Sequence, residues 1–161
     1  MKIKHLIIGV FAICSSFTYG QEKGQISAFA GFNYYNSEGE GSGGFTIGGE
    51  YLFTDNISGA LSYTGHSVEG GDLSEIGIDG RYYFVTEETI NWFAVAGLRR
   101  VNVSTPFVSG SMIGFSIGAG GLYGINDNLS VIAQVKYSTA SKDGIESNGT
   151  NILAGVQYSF N

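Results

Sequence analysis

The chain has 161 residues, among them 26 glycines, one proline, ten tyrosines, eleven phenylalanines and a single cysteine. Eight Lys and Arg against 14 Asp and Glu give a formal charge of −6, which excludes the basic footprint of a nucleic-acid binder. One domain's length, rich in glycine and aromatics and nearly free of proline, favours strands joined by tight turns over helices.

Met1 to Gly20 reads as an export leader, giving a cleaved signal peptide over 1–20 and one domain over 21–161. Lys2, Lys4 and His5 form a basic start and Leu6 to Ile13 an apolar centre, with cleavage expected before Gln21. The apolar run is shorter than the roughly 20 residues a spanning helix needs. Ile13 stands where a lipoprotein would need a small residue before Cys14. Cleavage removes Lys2, Lys4 and the only cysteine, leaving six basic residues against 14 acidic ones, a net of −8, with no thiol for a disulfide or a metal.

From Gln25 onward the apolar residues recur with period two, the mark of strands. Gln25 to Tyr35 sets Ile26, Ala28, Ala30, Phe32 and Tyr34 against Ser27, Phe29, Gly31 and Asn33. Gly44 to Thr54 sets Phe45, Ile47, Gly49, Tyr51 and Phe53 against Thr46, Gly48, Glu50 and Leu52. After an Asp55-Asn56 turn, Ile57 to His66 alternates Ile57, Gly59, Leu61 and Tyr63 with Ser58, Ala60, Ser62, Thr64 and His66. Ser74 to Phe84 puts Ile76, Ile78, Gly80, Tyr82 and Phe84 opposite Glu75, Gly77, Asp79, Arg81 and Tyr83. Asn91 to Val103 is ambiguous, because Trp92, Ala94, Ala96 and Leu98 compete with Phe93, Val95, Gly97 and Val101; a bulge near Arg99 and Arg100 would resolve it. Met112 to Ile125 and Leu129 to Ala140 alternate again, joined by a turn at Asn126 to Asn128. Thr150 to Phe160 places Ile152, Ala154, Val156, Tyr158 and Phe160 on one face and Leu153, Gly155, Gln157 and Ser159 on the other.

Eight strands with alternating longer and shorter connections predict an all-β, antiparallel, up-and-down barrel. The longer connections fall at Asn36 to Gly43, Ser67 to Leu73, Asn102 to Ser111 and Ser141 to Gly149. Acids such as Glu38, Glu40, Glu69, Asp72, Glu87, Glu88, Asp143 and Glu146 cluster in these and other turn-like segments and read as solvated loop charge.

Gly155, Tyr158 and Phe160, in a Gly-x-x-aromatic-x-aromatic terminal strand, resemble the closing strand of bacterial outer-membrane β-barrel proteins, with Asn161 as an extra residue. The chain from Gln25 to Phe160 is similar to the small eight-stranded barrel domain of the OmpA and OmpX type. That resemblance implies a Gram-negative cell outer-membrane location and a terminal strand read by the barrel-assembly machinery. It also implies outer-membrane lipids and lipopolysaccharide as surroundings.

A soluble barrel of the same strand number would point its apolar face inward, so orientation must be decided. Turned that way, Glu50, Asp79, Arg81 and Lys136 would face outward. Turned for a membrane, these charges, with Arg99 in one register and the amides Gln134 and Gln157, fill a polar interior where opposite signs pair. Aromatics then form two girdles: Tyr51, Phe53, Tyr82, Phe84, Trp92, Tyr123, Tyr158 and Phe160 near one rim, and Phe32, Tyr34, Phe45, Tyr63, Phe115 and Tyr137 near the other.

Catalytic constellations are sparse. His66, the only histidine left after cleavage, stands by Ser67 and Glu69, but adjacent extended residues face opposite ways, so a triad would require Ser62 or Ser111. Gly118-Ala119-Gly120-Gly121 has a phosphate-loop look but sits in a strand with no helix after it. No cofactor, metal or catalytic set is expected. The function expected is that of a monomeric, non-enzymatic barrel serving envelope integrity or surface interaction through its loops. A narrow solute channel is the alternative, and a lipid-modifying enzyme a third reading. Arg100, if outward near the rim, would meet lipopolysaccharide phosphates.

Overall fold

A computed structural model describes the backbone of residues 23–37, 40–68, 71–86, 89–104, 109–142 and 145–160, and all side chains there except at 40, 67–68, 71–72, 85–86, 104, 109, 142 and 145–147. The leader, Pro106 and the side chains of Ser67, Glu38, Glu40, Glu69, Asp72, Glu87, Glu88, Asp143 and Glu146 lie outside the described residues. Eight strands follow in order: β1 (Ile26–Ser37), β2 (Glu40–Leu52), β3 (Ile57–Val68), β4 (Gly71–Thr86), β5 (Ile90–Ser104), β6 (Ser109–Gly124), β7 (Leu129–Lys142) and β8 (Ile145–Phe160). Each pairs antiparallel with the next, and β8 returns to β1 to close the barrel.

The register fixes the tilt. Starting from Ala30, the hydrogen-bonded row passes through Ile47, Tyr63, Ile76, Arg100, Ile113 and Ser141 to position 146 on β8. Ala30 itself pairs with Val156, so one circuit of the barrel climbs ten residues, 156 minus 146. An eight-stranded barrel with that stagger has steeply tilted strands and an interior just wide enough for side chains. Glycine makes the fit: a Cβ at Gly48 would run into the Phe29 ring and one at Gly120 into the Phe93 ring.

Two four-residue turns on the rim of the termini share one construction. Thr54 Oγ1 accepts from the amides of Asn56 and Ile57, and Asn126 Oδ1 accepts from those of Asn128 and Leu129. Asn56 then donates its Nδ2 to the Tyr83 carbonyl at 3.0 Å, as Asn128 does to the Ser159 carbonyl at 2.9 Å. Each turn is thereby clamped to the neighbouring hairpin.

Two expectations are corrected. The long connections are mostly strand: β1 runs to Ser37, β3 to Val68, β5 to Ser104 and β7 to Lys142, and β2, β4, β6 and β8 restart at Glu40, Gly71, Ser109 and Ile145. Glycine- and serine-rich polar sequence marks exposure, and the backbone ladder continues through it regardless. The bulge is not at Arg99 and Arg100 either; the β4–β5 register shifts between Tyr83 and Val85, and β5 stays regular through both arginines.

A Gly120→Val protein should fold less stably by roughly 1–3 kcal/mol, because the new methyls press on Phe93 and the Ala133 carbonyl. The readout is the temperature at which the refolded barrel loses its altered gel mobility, which should fall.

Candidate functional site: the barrel interior and outer wall

Inside and outside are sorted as a bilayer would require. Phe32, Ile113 and Leu98 are 77%, 69% and 64% exposed, and every aromatic assigned to the two girdles faces outward. An apolar belt of that extent far exceeds what water-soluble monomers expose. The rows beyond the outer girdle are long: Tyr137 is followed by five more residues of β7, and β6 begins six residues before Phe115. Strands of 16 residues such as β4, β6 and β8 exceed the 9–11 a bilayer needs, and the excess forms a collar beyond one girdle.

The interior is built along β4, whose inward residues supply one partner of each ion pair in turn. Nearest the collar, Glu75 meets Arg99 at 3.1 Å; further in, Asp79 meets Lys136 at 2.8 Å; then Arg81 meets Glu50 at 2.9 Å. The expected network of Glu50, Asp79, Arg81, Arg99 and Lys136 is thus brought inside, with three acids balancing three bases once Glu75 is counted. Glu75 is the member the sequence reading placed on the right face but left out of the network. Its spacing from Asp79, four residues along one strand face, was the available signal.

Glu50 is the most heavily bonded of the set. It accepts from Ser58 Oγ, from Tyr83 at 2.7 Å, from Arg81 at 2.9 Å and from Gln157 Nε2 at 2.9 Å. The Arg81 guanidinium lies 4.9 Å from the centroids of both Phe29 and Phe93, so its faces meet aromatic rings while its edge meets the carboxylate. Beneath it, Leu52, Tyr83, Phe93, Leu122 and Ile132 are all buried and close the rim of the termini with an apolar plug. Sequence reasoning missed the plug because it took the interior to be polar throughout.

Between the ion pairs lies a cavity of about 10 Å³, lined by Asn33, Thr64, Glu75, Asp79, Gln134 and Lys136 among others. That is room for about one water, which suits the unpartnered oxygens Asn33 Oδ1, Asp79 Oδ1 and Gln134 Oε1.

The other candidates fall in different places. His66 is buried on the inner face, 6.0 Å from the Tyr35 ring, and its Nδ1 has no hydrogen-bond partner. Ser62 lies on the same inner face but makes no bond to it. Ser111 accepts from Arg100 at 3.5 Å on the outer wall, away from His66. Gly118 and Gly120 line the inside of β6, against the β7 backbone and Phe93. Among the described residues no group of three or more His, Cys, Asp or Glu could hold a metal. Gly155 is inward at the β1–β8 closure opposite Gly31, while Tyr158 and Phe160 are outward and meet edge to face at 5.1 Å. Arg100 is outward and exposed.

This architecture, with charges paired inside and an apolar belt outside, is that of the small eight-stranded transmembrane β-barrels. Neither a protein-family model nor a curated protein matches the sequence. Solved structures do: Neisserial surface protein A matches with a TM-score of 0.64 at 21% identity, covering 84% of this chain and 96% of that one. The N-terminal β-barrel domain of Pseudomonas aeruginosa OprF matches with a TM-score of 0.62 at 23% identity, covering 87% and 100%. Ail, the attachment invasion locus protein of Yersinia pestis, gives 0.57 at 19% identity, covering 86% and 99%. At these identities the likeness is one of fold, and the fold is that of bacterial outer-membrane barrels.

Glu50→Ala should destabilise the barrel by about 3–5 kcal/mol, since it leaves Arg81 buried and uncompensated. Glu50→Leu combined with Arg81→Met should regain a large part of that loss. Urea-unfolding midpoints of the protein folded into vesicles would measure both; an equal loss in the double variant would contradict the pairing argument.

Proposed function

We propose that the chain is a non-enzymatic, monomeric outer-membrane barrel that serves envelope integrity or surface interaction through its collar and its lipid-facing wall. The observation that carries this reading is the filled interior of the described residues: an apolar plug below and a neutral ladder of three ion pairs above, with a cavity that holds about one water among the pairs. Solute conduction requires a continuous wet path, and among the described residues an apolar plug and paired charges stand across it. A triad requires a serine within hydrogen-bond reach of His66, and among the described residues neither Ser62 nor Ser111 bonds to it. The described strands carry polar residues such as Asn36, Ser37 and Ser42 into the collar, which suits contacts with neighbouring surface molecules.

In planar bilayers the refolded protein should give no steady single-channel openings. Steady openings that disappear in Lys136→Met would favour narrow transport instead. Overproduction should also leave lipid acyl profiles unchanged, and a His66-dependent change would favour the enzymatic reading.

We also assign the terminal strand, with Gly155, Tyr158 and Phe160, as the segment read by the assembly machinery. Among the described residues the one ring contact of Phe160 is with Tyr158, so Phe160→Ala should refold in detergent nearly as well as the parent yet reach the outer membrane in several-fold lower amount, measured by fractionation.

A further inference from the structure

Three residues past the girdle residue Tyr63, β3 carries His66 into the collar on its inner face, where the imidazole is buried. Its pairing with Gly44 is the last one between β2 and β3. Beyond it the two strands separate: β2 runs to Glu40 paired with β1, and β3 runs to Val68 paired with β4. His66 therefore stands at the fork where this seam of the barrel ends.

The fork is tight, and it leaves one side of the imidazole unsatisfied. A Cβ at Gly44 would collide with His66 Nδ1 and with the Gly65 carbonyl, and Nδ1 is buried without a hydrogen-bond partner. A neutral ring can leave Nδ1 as a bare lone pair, whereas an imidazolium must place an N–H there with no acceptor. Three titratable side chains bear on it from neighbouring strands. The Tyr35 ring of β1 lies 6.0 Å away and has the Arg99 guanidinium of β5 5.9 Å from its centroid. Glu75 of β4 attracts an imidazolium and Arg99 repels it, while β2 brings the Gly43 and Ser42 backbone.

Of the three interior ion pairs, the one beside His66 is the loosest. Glu50 and Asp79 each accept a hydrogen bond from their basic partner. Arg99 and Glu75 are held by charge at 3.1 Å, and Arg99 Nε and Nη1 have no hydrogen-bond partner. Glu75 thus gives up no hydrogen bond to Arg99 when it turns to another cation.

We propose that His66 is an acid-operated latch on the collar: neutral, it seals the β2–β3 fork; protonated, it draws Glu75 from Arg99, and the seam opens from the collar end toward the polar interior. Burial holds the imidazole below the ordinary histidine value of 6.5, with Glu75 and the Gly43 backbone pulling the other way and Arg99 adding to the fall. An unfolded chain takes up the proton near that ordinary value and the packed ring only below it. The stability that His66 gives the fork is therefore complete above pH 6.5 and is lost as pH falls through the value of the buried group.

The test uses the full mature chain refolded in detergent micelles. Its one histidine, since His5 belongs to the leader, is followed by carbon-13 NMR alongside amide hydrogen exchange. The imidazole should titrate with a midpoint below 6.5. Amides of Gly44 to Thr46 and Thr64 to His66 should exchange roughly tenfold faster in acid than at neutral pH, after correction for intrinsic rates, while Leu52 and Ser58 at the plug end of the same seam stay unchanged. His66→Gln should keep the fork closed at both pH values, and Glu75→Gln should lower the midpoint further. A midpoint at or above 6.5, seam exchange that acid leaves unchanged in the parent, or acid opening that persists in His66→Gln would each overturn the latch.

Discussion

A carboxylate sealed inside a barrel must be neutralised where it stands, and Glu50 meets that demand by drawing donors from three other strands. Ser58 reaches it from β3, Arg81 and Tyr83 from β4, and Gln157 from β8. Those bonds fix side chains separated by as many as 107 residues in sequence, so they are satisfied only when the sheet has closed in one register. A slip by one residue would turn Glu50 outward and Tyr51 inward, and would do the same along the entire strand. Burial of the ion pair contributes little net stability against an apolar filling; it makes the alternatives expensive. The same reasoning extends along β4, where Glu75 and Asp79 await partners from β5 and β7.

The plug and the ladder divide the interior by chemistry. Near the termini, Leu52, Phe93, Leu122 and Ile132 pack against Tyr83, whose hydroxyl still donates to Glu50. Tyr83 therefore joins the two layers, apolar ring below and polar tip above. Among the described residues, side chains of both kinds pack against the wall from within. The surfaces that the closed sheet presents to its neighbours are the collar and the outside wall.

Much of this was legible in the period-two pattern. The number and order of strands and the outward set of aromatics follow from residues such as Ile26, Ala28 and Phe32 alternating with Ser27, Phe29 and Asn33. So does the inward placement of Glu50, Asp79, Arg81 and Lys136. Strand β5 was not legible, for a physical reason: Phe93 and Val95 belong to the apolar plug while Trp92, Ala94 and Leu98 face the lipid belt, so both faces are apolar and alternation carries no sign. The true bulge lies on β4 at a point where Tyr82, Tyr83, Phe84 and Val85 are all apolar or aromatic, and nothing in that run marks the extra residue. The ion-pair partners depend on the stagger of ten residues, a property of closure that no single strand contains. The collar was hidden by composition, since Asn36, Ser42 and Gly43 look like loop while their backbones pair as strand.

The fold alone assigns no task, so the residues that inform function are those the fold does not need. An apolar side chain at position 100 would satisfy the barrel better than arginine does, because a basic residue on the lipid face costs up to about 2–4 kcal/mol at mid-depth and little only near the interface. The cost is therefore small only if the guanidinium reaches headgroup level, and the register sets it two strands further along the row from the girdle residue Tyr63, on the collar side. A hollow in the wall below is likewise not required by the interior: Ala28 and Ala30 face outward, and larger apolar residues would fit there without disturbing Phe29 or Glu50. Two departures from the simplest wall, one of charge and one of shape, lie on a single hydrogen-bonded row running from Ala30 to Arg100.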